Sequence, residues 1–331
     1  MKTIMKTTSK KITSPMRRPF ANTFALALIL TAVMIAMIAM MSACGNAPAQ
    51  ATGGEQPAAT PAATASEPAT TTDSGSGSEL SGEVITAGST SVQPLSDELA
   101  MYFMDMYPDV IVDVQGGGSG QGVKAVQEDL VDFGALSREL KDEEIAIITA
   151  DYIIAKDGIA VVVNKGVDVD DLTVEQLKGI FTGEITNWSE IGGAGGKIEV
   201  VAREEGSGTR DAFNELTGVL GKDANGDNVD NTVESALIQG STGAIVTTVG
   251  NTENSIGYIS LGSLNDSVKA LKVEGVAPSS ATVLDGSYKV SRPFIYITAH
   301  SLSPAAQAFI DFVMGPEGQS IVEESGFIPV N

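Results

Sequence analysis

From Val84 onward, short apolar runs of β character alternate with stretches whose apolar residues recur with the period of a helix. Residues 110–114 are typical of a strand, and the continuous apolar block at 159–163 is typical of a strand buried on both faces. This alternation predicts an α/β fold with mostly parallel sheets. Helices are also predicted at 94–107, 123–130, 174–181, 209–216 and 304–314, and strands at 84–86, 198–202, 256–260 and 294–298.

Three turns rich in Gly, Ser and Thr lie between a predicted strand and a predicted helix. They are Gly88-Ser89-Thr90-Ser91, Gly116-Gly117-Gly118-Ser119-Gly120 and Gly206-Ser207-Gly208-Thr209-Arg210. Each offers free backbone N–H groups at the positive end of a helix, together with uncharged hydroxyl donors. Helix capping alone explains one such turn, but three of them favour a small bound oxyanion. Val123 follows Gly122 where a Walker A loop requires lysine, so nucleotide binding is disfavoured.

Three arginines are candidate cationic partners of that oxyanion: Arg138, Arg203 and Arg210. A guanidinium can hold an oxyanion through two parallel N–H bonds. Surface salt bridges to nearby carboxylates such as Glu204 and Asp211 are the alternative role for these side chains.

The charge and the scarcity of Cys and His exclude several classes of function. The net charge of −22 argues against a nucleic-acid partner, which would require a basic face. Because Cys44 is the only cysteine, the chain has no internal disulfide framework and no Cys-rich zinc site. His300 is the only histidine, which argues against a His-based metal site or a Ser-His-Asp triad. We therefore expect neither a metal nor a cofactor, and a length of 331 residues predicts about two domains.

The N-terminal segment is predicted to be a targeting signal. Six basic residues and no acidic one occur in residues 1–43, which include an apolar run at 20–41. The run ends in Met41-Ser42-Ala43-Cys44, which resembles the lipobox of bacterial lipoproteins, in which the signal is cut before a cysteine that becomes lipidated. A permanent transmembrane anchor is the alternative. Either way, the remainder is expected outside the cytoplasm.

The predicted mature chain begins with a tether. Residues 45–79 consist almost entirely of Ala, Pro, Thr, Gly and Ser, so we expect residues 44–79 to form a lipidated, disordered tether, with a cleavable pro-segment as the alternative. Loss of residues 1–43 leaves 14 basic against 42 acidic residues, a net charge of −28. An anionic ligand must therefore be held by local geometry against the general field of the protein.

Several segments occur in the order typical of one family. They are Ala87 to Leu95, Gln115 to Gly120, Phe133-Gly134-Ala135-Leu136-Ser137-Arg138, Leu172 to Trp188, and Arg203-Glu204-Glu205-Gly206-Ser207-Gly208-Thr209-Arg210. Together they resemble the phosphate-binding proteins of bacterial phosphate ABC transporters, over about residues 82–331.

The resemblance implies a periplasmic-binding-protein fold of type II, in which two α/β lobes clamp the ligand in a cleft. We place the crossings between lobes near 158–163 and 268–273, which gives lobe one residues 82–160 plus 268–331 and lobe two residues 161–267. The implied function is that of a monomeric receptor on the extracellular face of the membrane, anchored through Cys44, that delivers inorganic phosphate to the permease subunits of an importer and performs no chemistry.

The resemblance also implies the ligand contacts. They are Ser89, Thr90, Ser91, Ser119, Ser137, Arg203, Ser207, Gly208 and Thr209, to which the arginine argument adds Arg138 and Arg210. The best-known members carry an aspartate where Ser137-Arg138 stands here, and a carboxylate there accepts the proton of P–OH and repels sulfate. In this chain that role falls to the Ser137 hydroxyl, to Glu204 or Glu205, or to no group.

Three other functions remain open from the sequence. The first is a receptor for another tetrahedral oxyanion such as sulfate. The second is an extracellular phosphatase, although no nucleophile or metal cluster is evident. The third is a structural surface protein in which the three turns are plain helix caps.

Overall fold

The structure, a computed structural model, describes residues 80–331. The predicted signal at 1–43, the predicted lipidation at Cys44 and the predicted tether to residue 79 lie outside the described residues. Within residues 80–331, no helix has the length and apolar character needed to cross a membrane.

The described residues form thirteen strands and nine α-helices. The strands are β1 (Gly82–Gly88), β2 (Val110–Gly116), β3 (Phe133–Leu136), β4 (Ala150–Val163), β5 (Asp171–Leu172), β6 (Glu199–Arg203), β7 (Leu220–Lys222), β8 (Asn228–Asp230), β9 (Leu237–Gln239), β10 (Ser255–Ser260), β11 (Lys269–Ala270), β12 (Lys272–Val273) and β13 (Ser291–Thr298). The helices are α1 (Gln93–Met106), α2 (Ser119–Gln127), α3 (Asp142–Ile145), α4 (Val174–Thr182), α5 (Gly208–Thr217), α6 (Thr242–Asn251), α7 (Ser280–Leu284), α8 (Pro304–Met314) and α9 (Pro316–Glu324).

The main sheet has the strand order β2-β1-β3-β13-β4-β10-β6-β9, with β11 also paired to β4. Strands β1, β2 and β3 are parallel to one another, as are β6, β9 and β10. The α/β prediction is confirmed, but the sheet is mixed, because β4 and β13 join the two parallel groups through antiparallel pairings.

The long strand β4 connects the two groups directly. Its first part, up to Gly158, pairs with β13, and from Ile159 onward it pairs with β10. The apolar pattern indicates only the second part, which is apolar throughout, because the apolar run of the first part is limited to Tyr152–Ala155 and is flanked by charged residues.

The two largest hydrophobic clusters lie on opposite sides of this change of partner. One contains Phe103 of α1 and Phe309 of α8, whose ring centroids are 5.2 Å apart. The other contains Leu177 of α4, with Phe213 of α5 stacked on Tyr258 at 4.1 Å. Each parallel group of strands therefore has its own core.

Helix α2 begins earlier than the apolar pattern predicts. It starts at Ser119, four residues before Val123, so the glycine-rich run forms its first turn. A Cβ at Gly122 would lie 2.8 Å from the carbonyl oxygen of Ala87, so glycine is needed for this turn to pack against β1. The predicted helices at 174–181, 209–216 and 304–314 are confirmed to within a residue or two at either end.

Candidate ligand-binding site

Four helix starts meet at the carboxyl ends of the parallel strands. Strand β1 leads into α1, β2 into α2, β6 into α5 and β9 into α6. The crevice outside the carboxyl ends of such strands is where ligands bind in open α/β sheets. Helix starts also direct free N–H groups and positive dipole ends into this space.

Serines from three turns of the first parallel group lie within hydrogen-bond distance of one another. The Ser89 hydroxyl donates to Ser137 Oγ at 2.7 Å. The Ser137 backbone N–H donates to Ser119 Oγ at 3.1 Å. All three side chains are buried, with at most 3% of each residue exposed. Polar groups buried this deeply require hydrogen-bond partners, and these three serines supply partners to one another.

Hydroxyls from the second parallel group complete the arrangement. Ser91 Oγ lies 2.8 Å from Thr209 Oγ1 and 2.8 Å from Thr242 Oγ1. The Thr242 backbone N–H donates to Thr90 Oγ1 at 3.3 Å. Six buried residues are joined by hydrogen bonds of their hydroxyl groups, and we call them the hydroxyl cluster: Ser89, Ser91, Ser119, Ser137, Thr209 and Thr242.

Gly208 is the point of closest approach between the two groups. A Cβ there would overlap the Ser119 side chain and would lie 2.9 Å from Ser137 Oγ. Nearby, the Gly120 N–H donates to the Gly206 carbonyl at 3.0 Å. The glycine at 208 is therefore required by contact with the hydroxyl cluster.

Arg203 supplies the positive charge beside the hydroxyl cluster. It ends β6 and is 1% exposed. Its Nε and Nη2 donate to the two carboxylate oxygens of Glu204 at 2.8 and 2.7 Å, and its Nη1 donates to Thr242 Oγ1 at 3.1 Å. A guanidinium has five N–H groups, so one remains on each terminal nitrogen. Two such groups side by side suit a bidentate oxyanion.

Tyr258 supports the backbone of Arg203. Its hydroxyl oxygen accepts from the Arg203 N–H at 3.2 Å. Burial raises the pKa of Tyr258 well above its usual range, so the phenol remains neutral and does not add a negative charge behind the site.

Ser207 lies at the start of α5 and is 1% exposed. Its side chain accepts from the Arg210 backbone N–H at 3.4 Å, a long capping bond. This bond uses the oxygen as acceptor and leaves the hydroxyl proton available to donate.

Arg138 lies outside the hydroxyl cluster. Its Nη1 and Nη2 donate to the two carboxylate oxygens of Glu144, each at 2.7 Å, and its Nε lies 3.1 Å from Asp211. Burial alone would raise the pKa of Glu144, but bonds from Arg138 and from the Lys141 N–H lower it. These carboxylates pair with the guanidinium of Arg138. Contact between Arg138 and a ligand stays a prediction.

Arg210 is also engaged elsewhere. Its Nε donates to Asp230 at 2.7 Å and its Nη1 to the Arg203 carbonyl at 2.6 Å. It therefore braces the strand end that carries Arg203. One partner of Arg210 is a side chain 20 residues away, and the other is a backbone carbonyl, so no local sequence pattern indicates either contact.

Of the candidates for the acceptor role, only Ser137 lies within the hydroxyl cluster. Both carboxylate oxygens of Glu204 are bonded to Arg203, and Glu205 is exposed. A serine hydroxyl can accept a hydrogen bond and donate one, whereas a carboxylate only accepts.

Thr242 belongs to the hydroxyl cluster but is not among the residues predicted from the sequence. It follows Gly240-Ser241 and precedes Gly243, which makes a fourth Ser/Thr/Gly turn between a strand and a helix. Strand β9 has only three residues, two of them exposed, so no strand pattern precedes the turn. Only the Gly, Ser and Thr composition of residues 240–243 could have indicated this turn from the sequence.

A surface groove of about 840 Å³ lies beside Arg138. Its lining includes three basic and five acidic side chains, among them Lys141, Lys222, Asp211 and Glu215. Because acids outnumber bases, this groove suits an anion less well than the hydroxyl cluster does.

Known proteins similar to this chain carry names that refer to phosphate binding. A profile of the PBP superfamily domain matches residues 54–317. The phosphate-binding protein PstS of Bacillus subtilis is 34% identical over 263 residues, which cover 78% of this chain and 84% of that protein. PstS 2 of Streptococcus pneumoniae is 50% identical over 135 residues, so this match spans about half of that relative, 46% of its length.

Two solved structures share the fold. A structure from Clostridium perfringens with bound phosphate, of a candidate substrate-binding protein of a phosphate ABC transporter, is 42% identical with a TM-score of 0.70. It covers 76% of this chain and 100% of that chain. An ABC-type phosphate transport receptor from Vibrio cholerae is 34% identical with a TM-score of 0.63, over 75% of this chain and 100% of that one.

These likenesses confirm the predicted type II fold and the predicted family. The chain belongs to the phosphate-binding protein family of the PBP superfamily.

Proposed function

We propose that this chain captures inorganic phosphate at the hydroxyl cluster and delivers it to an ABC importer. The observation that carries the proposal is the buried Arg203, which keeps one N–H on each terminal nitrogen beside six buried hydroxyl side chains. A tetrahedral anion with four oxygens requires many donors on several sides, and helix starts from both parallel groups supply them. The phosphate-binding names of the relatives support the same ligand.

The energetics favour a many-donor site. Micromolar affinity requires about 8 kcal/mol net of the cost of association. A hydrogen bond to a charged group contributes about 1.5–3 kcal/mol. A helix start contributes about 0.3–1 kcal/mol, or up to about 2 when partly buried. Arg203 together with several hydroxyl and amide donors reaches this range, whereas helix dipoles alone do not.

The acceptor for a phosphate proton is, on this proposal, the Ser137 hydroxyl. It is fully buried and already accepts from Ser89 on one side. Because it can also turn its own proton toward the anion, it discriminates against sulfate less strongly than a carboxylate would. We expect measurable but weaker sulfate binding.

We also propose two lobes built on the two cores. The change of partner of β4 between Gly158 and Ile159 supports the first crossing, expected near 158–163. For the return we propose a position near Val290 rather than the 268–273 expected from the resemblance, because Leu271 and Tyr288 pack with Leu177 in the core of the second parallel group.

The anchoring of the receptor follows from the sequence alone. We propose lipidation at Cys44 and a location on the extracellular face of the membrane, where the receptor acts as a monomer. The test is labelling with a radioactive fatty acid of cells that express the wild type or Cys44→Ser. The wild type is expected to be cleaved and labelled, whereas the variant is expected to be uncleaved and unlabelled. A wild type without label would contradict the lipid anchor.

Titration calorimetry with phosphate and then sulfate at pH 7 tests the ligand. One-to-one phosphate binding with weaker sulfate binding is expected, and equal binding of both would make the protein a general oxyanion receptor. A colorimetric assay of phosphate ester hydrolysis, with and without divalent metals, tests the enzyme alternative. Turnover in that assay would contradict a pure transport role.

A further inference from the structure

Thr242 makes three contacts, two of which join the two parallel groups. It is the first residue of α6 and is 3% exposed. Its Oγ1 accepts from Arg203 Nη1 at 3.1 Å and lies 2.8 Å from Ser91 Oγ. Its backbone N–H donates to Thr90 Oγ1 at 3.3 Å. A cap for α6 is already supplied by Ser241, whose side chain accepts from the Ala244 N–H.

The Arg203 guanidinium is held on two sides, and Thr242 provides the second. Glu204 binds the edge formed by Nε and Nη2. With that contact alone, Nη1 would keep two free N–H groups, and the plane could swing about the Glu204 edge. The Thr242 hydroxyl takes one of these groups and fixes the plane. One N–H then remains on each of the two adjacent terminal nitrogens, as a bidentate oxyanion contact requires.

We propose that Thr242 is a positioning residue for phosphate, which acts by orienting the Arg203 guanidinium toward the hydroxyl cluster. The proposal rests on the proposed function. The bond between Arg203 and Thr242 lies within the second parallel group, and the contacts of Thr242 with Ser91 and Thr90 link the oriented guanidinium to the first parallel group.

The experiment measures phosphate affinity by calorimetry for the wild type, Thr242→Val and Thr242→Ser. Valine keeps the shape of threonine and removes the hydroxyl, whereas serine keeps it. We expect Thr242→Val to weaken binding by about tenfold or more and Thr242→Ser by less than about threefold. Thr247→Val is the matched control, because Thr247 is exposed on the same helix and its hydroxyl bonds only to the Gly243 carbonyl.

A cycle with Arg203→Lys separates positioning from a general structural role. Lysine keeps the charge but has no Nη1 for Thr242 to hold. Adding Thr242→Val to Arg203→Lys is expected to change the phosphate affinity by less than about twofold. An undiminished tenfold loss in that background would show that Thr242 does not act through Arg203. Thermal unfolding without phosphate checks each variant, and Thr242→Ala replaces the valine variant if the latter does not fold.

The outcomes separate this inference from the proposed function. Wild-type protein that binds no phosphate would overturn both. Wild-type binding with equal affinity in Thr242→Val would overturn the role of Thr242 and leave phosphate binding in place.

Discussion

Replacing Arg203 with methionine removes the cation of the proposed phosphate site while keeping a side chain of similar length. The guanidinium is 1% exposed, and its Glu204 partner is 25% exposed in the folded protein. The variant therefore loses the two uncommitted N–H groups and leaves a carboxylate without its partner beside the anion.

The size of the effect follows from those donors. Two hydrogen bonds to a charged group contribute about 1.5–3 kcal/mol each, or about 3–6 kcal/mol together. Because about 1.4 kcal/mol corresponds to a factor of ten, phosphate affinity is expected to fall by about 10²-fold to 10⁴-fold. The unpaired Glu204 carboxylate adds repulsion in the same direction.

Titration calorimetry of wild type and Arg203→Met with phosphate at pH 7 measures this loss. Lys197→Met is the control for net charge, because Lys197 is 69% exposed and pairs only with Glu199. The control is expected to bind like the wild type. An affinity of Arg203→Met within about threefold of wild type would refute the assignment of Arg203.

Three further changes test other parts of the structure. Gly208→Ala places a Cβ against two serine hydroxyls and is expected to weaken phosphate binding by about tenfold in calorimetry; unchanged affinity would show that this close approach is not needed. The lowered pKa of Glu144 means that its pairing with Arg138 stabilises the fold above the ordinary value of 4.5 and is lost as pH falls through the lowered pKa. Denaturant unfolding of Glu144→Gln should accordingly depend less on pH below 4.5 than that of the wild type, and parallel curves would contradict this. Asp157→Asn leaves the buried Arg292 without its counter-ion and is expected to lower the free energy of unfolding by about 3–5 kcal/mol, whereas a loss below about 1 kcal/mol in denaturant titration would contradict the pairing.

Most members of the hydroxyl cluster could be predicted from the sequence because they lie in short local motifs. Ser89, Ser119 and Ser207 follow glycine-flanked turns at strand ends, and the alternation of strands and helices places such turns at one edge of the sheet. A short-range pattern is sufficient for this inference, and the same pattern, applied to Gly240-Ser241-Thr242-Gly243, would have indicated the fourth turn.

The different partners of the arginines could not be predicted from local sequence patterns. Arg138 and Arg203 both lie at the carboxyl end of an apolar run and both precede an acidic residue, so their sequence contexts are alike. Long-range packing separates them: Asp211 and Glu144 take up the first, whereas the second keeps two N–H groups near hydroxyls. Partners distant in sequence decide which cation is available, and no local periodicity encodes that.

The mixed sheet was missed for a related reason. Strand β4 carries the chain from the first parallel group to the second, and β13 carries it back to the first. The two strands therefore run antiparallel to each other. Their direction depends on which strands they lie between, and strand pairing is not visible in the apolar pattern of either segment alone.

A crystal structure of the protein grown with phosphate shows where the anion binds. We expect a tetrahedral anion within hydrogen-bond distance of Arg203 Nη1 and Nη2 and of hydroxyls in the turns at Ser89, Ser119 and Ser207. Phosphate bound instead in the groove beside Arg138 and Lys141, with the hydroxyl cluster unchanged, would contradict this expectation.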